Sequence, residues 1–261
     1  MSWIEDTYQA ILGRKPDESD VDNIRSQNLT ARQLSIQLLY SAEFLNAICA
    51  EAKEHHHAII HGARIRLIRS LPRADVILDI GGANGSLVEF GYRHDYRRLI
   101  ISDLPPEDRI EELQTVDLAK KWQWNPRVQV INDLSKIQNN SVDLAWAGQL
   151  IEHIAQEDLP AFLAEIKRVL RPGGRFCLDT PNALLARIHS PGLLHPDHKY
   201  EYMPDELEEI LEKYFEIENK LGLIPMPDSY EVRQFLYQEM PIGCFSERLN
   251  NCYIMYFSCR K

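Results

Sequence analysis

The ten residues "VILDIGGANG", Val76 to Gly85, constrain the fold more tightly than any other stretch of the chain. Val76 to Ile80 is a short apolar run rich in β-branched residues, which predicts a strand buried on both faces. Gly81, Gly82 and Gly85 follow directly, and glycines there allow a tight turn and a close approach that side chains would block. A buried strand that opens into such a turn is the ligand-holding end of an open α/β sheet. A dinucleotide pyrophosphate is a poor match for it. The G-x-G-x-x-G pattern needs glycines at 83 and 86, where this chain has Ala83 and Ser86. Asp79 argues the same way, because a carboxylate at the carboxyl end of the strand repels a pyrophosphate and attracts a ligand that carries an ammonium group.

The chain around this stretch alternates as a doubly wound fold requires. Apolar runs near 76–80, 98–102, 128–131, 142–147 and 174–179 predict strands separated by helical or loop segments. Phe162, Leu163, Ile166, Val169 and Leu170 form an apolar helical stripe, after which Pro172-Gly173-Gly174 is expected to turn the chain into the next strand. Two more strands, around "YFEIENKLGL" and "NCYIMYFSCR", complete a seven-stranded, mostly parallel α/β sheet with an antiparallel strand on one edge.

Residues 1–60 are expected to form a separate helical accessory domain and residues 61–261 the α/β domain. Thr30 and Gln33 make a capping-box pattern, and Leu34, Leu38 and Leu39 recur on one helical face behind it. His57 and His61 are spaced i, i+4, yet nothing acidic or thiolate joins them, so a solvated helix face is the expectation there.

Charge and cysteine usage narrow the function. A formal charge of -10 argues against broad nucleic-acid binding through a large basic surface and favours small-molecule chemistry. The 5 cysteines are odd in number and include no C-x-x-C pair, so neither a disulfide framework nor a structural zinc site is suggested and a reducing cytoplasm is the expected location. No apolar run reaches the roughly 18 residues of a membrane span, and the amino terminus lacks a signal-peptide layout.

The other strand ends describe the ligand. Asp103, with Leu104 beside it, closes the second strand 24 residues after Asp79, where an α/β nucleotide site places a carboxylate for ribose hydroxyls. Asp133 and Leu134 close the third, offering a carboxylate oxygen and a backbone N–H to an adenine. An adenosine without phosphates emerges.

Taken in order, "LDIGGANG", "SDL", "NDL", "VDLAWAGQLIEH" and "VLRPGGRF" resemble the class I S-adenosylmethionine-dependent methyltransferases over about residues 64 to 261. The resemblance implies a Rossmann-like fold and S-adenosylmethionine as cofactor. On it, Asp79, Gly81 and Gly85 cradle the methionine part, Asp103 and Leu104 the ribose, and Asp133 with Leu134 the adenine. Ala83 stands where a glycine is commoner, and its methyl group crowds the turn only slightly.

The acceptor side is carried by "QLIEHI" and "DTPNALLARIHSPGLLHPDHKYEYMPDEL", which resemble segments of ubiquinone-pathway O-methyltransferases and small-RNA 2'-O-methyltransferases. Gln149, Glu152 and His153 lie at i, i+3 and i+4, on one face if a helix begins there, and His198 follows in the next loop. In the small-RNA enzymes, two glutamates and a histidine here, with a later histidine, hold a divalent ion. Gln149 replaces the first glutamate and removes a charge. The resemblance thus implies metal ligands Gln149, Glu152, His153 and His198 for Mg, Mn or Zn, and without metal His153 or His198 serves as general base. Residues 182–203 and the segment "IPMPDSYEVRQFLYQEMPIGCFSERL" are long enough for a lid and acceptor wall. Tyr230, Phe235, Tyr237 and Phe245 are candidate stacking surfaces there, or ordinary core.

The stretch over residues 1 to 46 resembles a small bacterial helical domain found beside glycan-modifying and cell-surface proteins. The expectation is therefore an O-methyltransferase acting on a sugar or small-molecule hydroxyl, with a surface-glycan precursor favoured as acceptor and a glycan-assembly protein docking on the first domain. A quinone-like or natural-product O-methyltransferase and an inactive methyltransferase-like partner module are the alternatives.

Overall fold

The structure, a computed structural model, describes residues 3–12, 14–39, 41, 62–82, 85–89, 91–109, 114–189, 192–225 and 245–261. The chain divides into two units, Met1–Ala58 and Ile59–Lys261. In the first, α1 (Trp3–Leu12), α2 (Glu18–Ser26) and α3 (Ala31–Leu39) close around Ile4, Tyr8, Ile24, Leu34 and Leu38. The N-terminus of α3 carries the expected cap, with the Gln33 side-chain oxygen accepting the Thr30 backbone N–H at 2.9 Å. Asp17 and Asp20 cap α2 in the same reciprocal way, at 2.8 and 3.1 Å. His57 and His61 lie outside the described residues.

The second unit is built on one sheet. Its strands are β1 (Val76–Ile80), β2 (Arg98–Ser102), β3 (Val128–Ile131), β4 (Val142–Gly148), β5 (Leu170–Pro181), β6 (Glu216–Pro225), β7 (Phe245–Ser246) and β8 (Cys252–Arg260). They stand in the order β3-β2-β1-β4-β5-β8-β6-β7. The first five pair in parallel, and β8 runs antiparallel to both β5 and β6. All five residues of β1 are buried, as a central strand covered on both faces requires.

Alternation along the strands sorts the core into two layers. Val76, Leu78 and Ile80 pack with Leu159, Leu163, Ile166 and Val169 of α7 (Leu159–Val169). Ile77 points to the other face, against Ala63, Leu67 and Ile68 of α4 (62–70). Asp79 shares the parity of Ile77 and so belongs to the α4 side.

Two expectations are corrected. The sheet has eight strands rather than seven, because the two-residue β7 pairs antiparallel with Gly222 and Leu223 and forms the edge. The long antiparallel strand, β8, sits inside the sheet, which suits its nearly unbroken burial. Pro172-Gly173-Gly174 does not separate a turn from a strand either. The chain stays in β5 throughout, and the pairing with β4 slips between Val142 and Leu144. Gly173 takes a φ of 74° there, so the break signalled by Pro-Gly-Gly is absorbed as a bulge.

Candidate functional site

The carboxyl ends of β1, β2 and β3 finish level. Ile80 pairs with Ser102 and Ser102 with Ile131, the Gly81 N–H donates to the Ser102 carbonyl at 2.8 Å, and the Asp103 N–H to the Ile131 carbonyl at 3.1 Å. Asp79, Asp103 and Asp133 thus leave three adjacent strand ends, as the sequence led us to expect.

Their surroundings differ. Asp79 is buried, accepts the Leu87 backbone N–H, and keeps its Oδ2 buried with no partner. Burial pushes its carboxyl up to about 7, and the nearby Asp103 charge adds to the shift. Asp103 accepts the Leu104 N–H at 2.7 Å and lies 3.7 Å from the Arg109 guanidinium, which also ties down the Leu104 carbonyl at 2.8 Å. Leu104 itself is exposed. Asp133 is exposed and caps the short turn Leu134–Lys136 by accepting the Ser135 N–H at 2.9 Å. The Ser135 hydroxyl and N–H hold its carboxyl below the usual range. Leu134 is half-buried against the core.

The glycine turn is shaped to receive something. A Cβ on Gly82 would lie 2.7 Å from Ile101 and 3.0 Å from the unpartnered Asp79 oxygen. Gly85 has a φ of 80°, and a Cβ there would lie 2.6 Å from the Trp122 indole nitrogen. That nitrogen is also buried without a partner. The donor set, a buried carboxylate oxygen facing a turn that admits no side chain, fits the ammonium end of an aminoacyl group. Sequence reasoning missed Trp122, which lies at the end of α6 (Leu118–Trp122), because "LAKKW" gives no local sign of a distant glycine contact.

Past β4 the structure differs from the helix expected at 149–153. Ile151–His153 forms one 3-10 turn, and Gln149 before it has a φ of 52°. The i, i+3, i+4 face therefore does not exist, yet three of the four expected metal ligands still meet. Ligand-capable atoms of Glu152, His153 and His198 all lie within 4.8 Å of one another. The loop that brings His198 is clipped to this turn, since the Lys199 and Tyr200 N–H groups both donate to the Glu152 carbonyl, at 2.7 and 3.2 Å. Gln149 belongs to the same turn, and its amide nitrogen is buried without a partner.

Glu152 is fully buried. Its Oε2 accepts the Thr180 hydroxyl at 2.9 Å, and its Oε1 has no partner. Burial pushes this carboxyl up to about 8, with the Asp179 charge adding to the effect. The two imidazoles meet edge to face at 4.9 Å. The Nδ1 of His153 is engaged with the Asp197 carbonyl at 3.2 Å, and that of His198 with the Glu201 carboxylate at 2.5 Å. Burial and the neighbouring His198 hold His153 below its ordinary pKa. Imidazoles fixed through Nδ1 by a carbonyl and a carboxylate are oriented as metal-binding histidines are. With an unpartnered carboxylate oxygen between them, the residues present fit a divalent cation.

Thr180, Asp179 and Arg64 were not anticipated. Their part in the site arises from contacts across the sheet, and only "DTPN" hinted at two of them. Tyr230, Phe235 and Tyr237 lie outside the described residues, and Phe245 is an exposed residue of the edge strand rather than core. Among the described residues, no helix is long and apolar enough to cross a membrane.

Residues 78–178 match the methyltransferase domain family. Over 87 residues the chain is 44% identical to a probable S-adenosylmethionine-dependent methyltransferase of Mycolicibacterium smegmatis, a stretch that covers 32% of each protein. The match spans about a third of the length of that curated relative. An S-adenosylmethionine-dependent methyltransferase of Thermotoga maritima superposes with a TM-score of 0.56 at 17% identity, covering 84% of this chain and 96% of that one. The [4+2]-cyclase SpnF superposes with a TM-score of 0.52 at 17% identity, covering 77% and 80%. The last two share the fold.

Proposed function

This chain carries a class I S-adenosylmethionine-dependent methyltransferase domain, and from that premise we propose that it methylates a hydroxyl oxygen on a sugar or polar small molecule. The single observation that carries the reading is the meeting of Glu152, His153 and His198 within 4.8 Å on the turn next to the donor pocket. The two edges touch: a Cβ on Gly81 would lie 2.7 Å from the Leu150 side chain, so the glycine turn and the Gln149–His153 turn are packed together.

S-adenosylmethionine, when bound, supplies a methyl group already activated on a sulfonium. The chain's own residues then have three tasks. Asp79 holds the ammonium, Asp103 the ribose hydroxyls, and Asp133 with the Leu134 N–H the adenine, with Leu104 beside the sugar. Leu150 and the 149–153 turn set the acceptor in line with the methyl group. A histidine at His153 or His198 takes the hydroxyl proton through the nitrogen its Nδ1 contact leaves over, and Glu152, once ionised above its raised pKa, steadies the charge that results. Glu152, His153 and His198, with Gln149 proposed as a fourth ligand, would hold a divalent cation, which would supply Lewis acidity toward an acceptor hydroxyl. Two imidazoles favour Mn or Zn over Mg for that place.

The cluster of Glu152, His153 and His198 is the reason to prefer a sugar hydroxyl to an apolar quinone-like ring. A surface-glycan precursor is the favoured acceptor, on the resemblance of the amino-terminal residues, and the same resemblance makes residues 1–60 a docking unit for a glycan-assembly protein in the cytoplasm. The test is to incubate the chain with methyl-labelled S-adenosylmethionine and fractionated glycans, lipids and metabolites, with and without chelator. Label entering a carbohydrate fraction supports the reading, and label entering only apolar lipids overturns the acceptor class.

The second reading is a module that binds the donor without transferring its methyl group. It is favoured by the cyclase on the same fold, which shows that this architecture does not dictate methyl transfer. Donor affinity with no labelled product in any fraction would select it.

A further inference from the structure

We propose that Arg64 is a positioning residue for the acceptor edge, acting through Asp179 to hold the turn that delivers Glu152 and His153. The inference deepens the reading above and rests on its assignment of that edge. Arg64 lies on α4, with its Nε 2.6 Å from Asp179 Oδ2 and a terminal nitrogen 3.4 Å from Oδ1. Asp179 is fully buried near the end of β5. Its side chain and backbone both reach back to the turn. The Gln149 N–H donates to the Asp179 carbonyl at 2.8 Å and to its Oδ1 at 3.0 Å.

That double acceptance matters because Gln149 sits in the left-handed region, φ 52°, which a residue with a Cβ occupies only when its surroundings hold it there. The next residue on β5 points to the opposite face, where the Thr180 hydroxyl donates to Glu152. Asp179 therefore fixes where the turn starts, and Thr180 fixes the carboxylate it presents. Arg64, bonded to both carboxylate oxygens, is what keeps the first of these in place. A buried carboxylate that loses the guanidinium holding it is free to turn away, and the Gln149 amide then keeps its bond to the Asp179 carbonyl but loses the one to Oδ1. The Arg64 side chain is 13% exposed, so solvent is no substitute partner.

The experiment is local hydrogen exchange on the full chain as wild type, Arg64→Lys, Arg64→Ala and Asp179→Asn. Peptides covering 147–154 and 81–89 are compared, and Mn(II) and S-adenosylhomocysteine affinities are measured by calorimetry. Exchange at 147–154 is expected to rise about tenfold or more in Arg64→Ala and Asp179→Asn, less in Arg64→Lys, with the 81–89 peptide unchanged. Mn(II) affinity should fall about tenfold, as removal of a supporting partner does, while S-adenosylhomocysteine affinity stays within about twofold. Unchanged exchange at 147–154 overturns the proposal. So does exchange rising throughout the second unit, which would make the pair a general stability contact. Loss of S-adenosylhomocysteine affinity with an unaltered turn would move Arg64 to the donor pocket. If Arg64→Ala does not fold, Arg64→Lys carries the comparison. A wild type that binds no Mn(II) but shows the local exchange response rejects the metal reading and leaves this inference standing.

Discussion

Asp79 must stay buried to shape the glycine turn and must be ionised to hold a cation, and the two demands set a pH dependence. Its carboxyl is raised to about 7, so below that pH the folded chain keeps a proton there which a bound ammonium group has to displace. S-adenosylhomocysteine affinity is therefore expected to fall by up to about tenfold per pH unit below 7 and to level off above it, and Asp79→Asn should bind weakly with no such slope. Calorimetry across that range checks the sign. The same shift makes the empty protein lose stability as pH rises from the ordinary carboxylate range toward 7, because the unfolded chain gives up this proton earlier. Asp103→Ala removes a charged hydrogen-bond acceptor worth about 1.5–3 kcal/mol, so it should weaken S-adenosylmethionine and S-adenosylhomocysteine about tenfold or more. Unchanged binding of both would remove Asp103 from the pocket. Above about pH 8, where the carboxyl is ionised, Glu152→Gln keeps the shape and the Thr180 bond but not the charge. Mn(II) binding is expected to disappear in it while S-adenosylhomocysteine still binds, and retention of Mn(II) would take Glu152 out of the ligand set. The strand-end acids were legible because a strand's end is a local signal. Trp122, Arg64 and Asp179 were not, because their partners are 37, 115 and 30 residues away, at Gly85, Asp179 and Gln149. Glu152 and His153 are the instructive case: the family resemblance pointed to them with a helical spacing, and a 3-10 turn after a left-handed residue is what brings them to His198.

At the scale of elements, buried strands were the readable part. β1 and β2 are apolar on both faces and bounded by turn residues, so their limits agree with expectation. β7 could not be read, since two residues carry no periodicity, and the Pro-Gly-Gly signal was read as a turn into the strand although pairing of β5 with β4 at Leu170 and again from Arg175, with the Lys261 backbone bonded to Gly173 and Gly174, keeps it within β5. The turn between β1 and α5 (Ser86–Glu89) offers a direct test of element geometry. Gly85→Ala adds a Cβ at a φ of 80° and drives it against Trp122, so a loss of about 1–2 kcal/mol from the backbone alone is expected, with weaker donor binding. Urea unfolding at constant m-value measures the first part. A variant as stable as wild type would mean that the turn relaxes freely.

At the scale of the molecule, the two-unit division was visible as a change from helical amphipathicity to alternating strands. Every proposed donor contact lies in the second unit, so deleting residues 1–58 should leave S-adenosylhomocysteine affinity within about twofold. A tenfold loss in a folded truncation would assign the first unit a share of the pocket. The sheet order also governs how the molecule meets its own copies. The outermost described strands, β3 with 4 residues and β7 with 2, are the shortest in the sheet. An open sheet recruits foreign strands through unpaired amides on its rims; the four-residue β3 offers few consecutive hydrogen bonds, whereas among the described residues β7 covers only Gly222 and Leu223 of β6. The long strands most prone to templating, β5 and β8, are walled in on both sides. Crowded chains should therefore resist edge-to-edge pairing along the β3 rim, while along β6 the charges of Glu216, Glu218 and Lys220 stand where β7 does not reach.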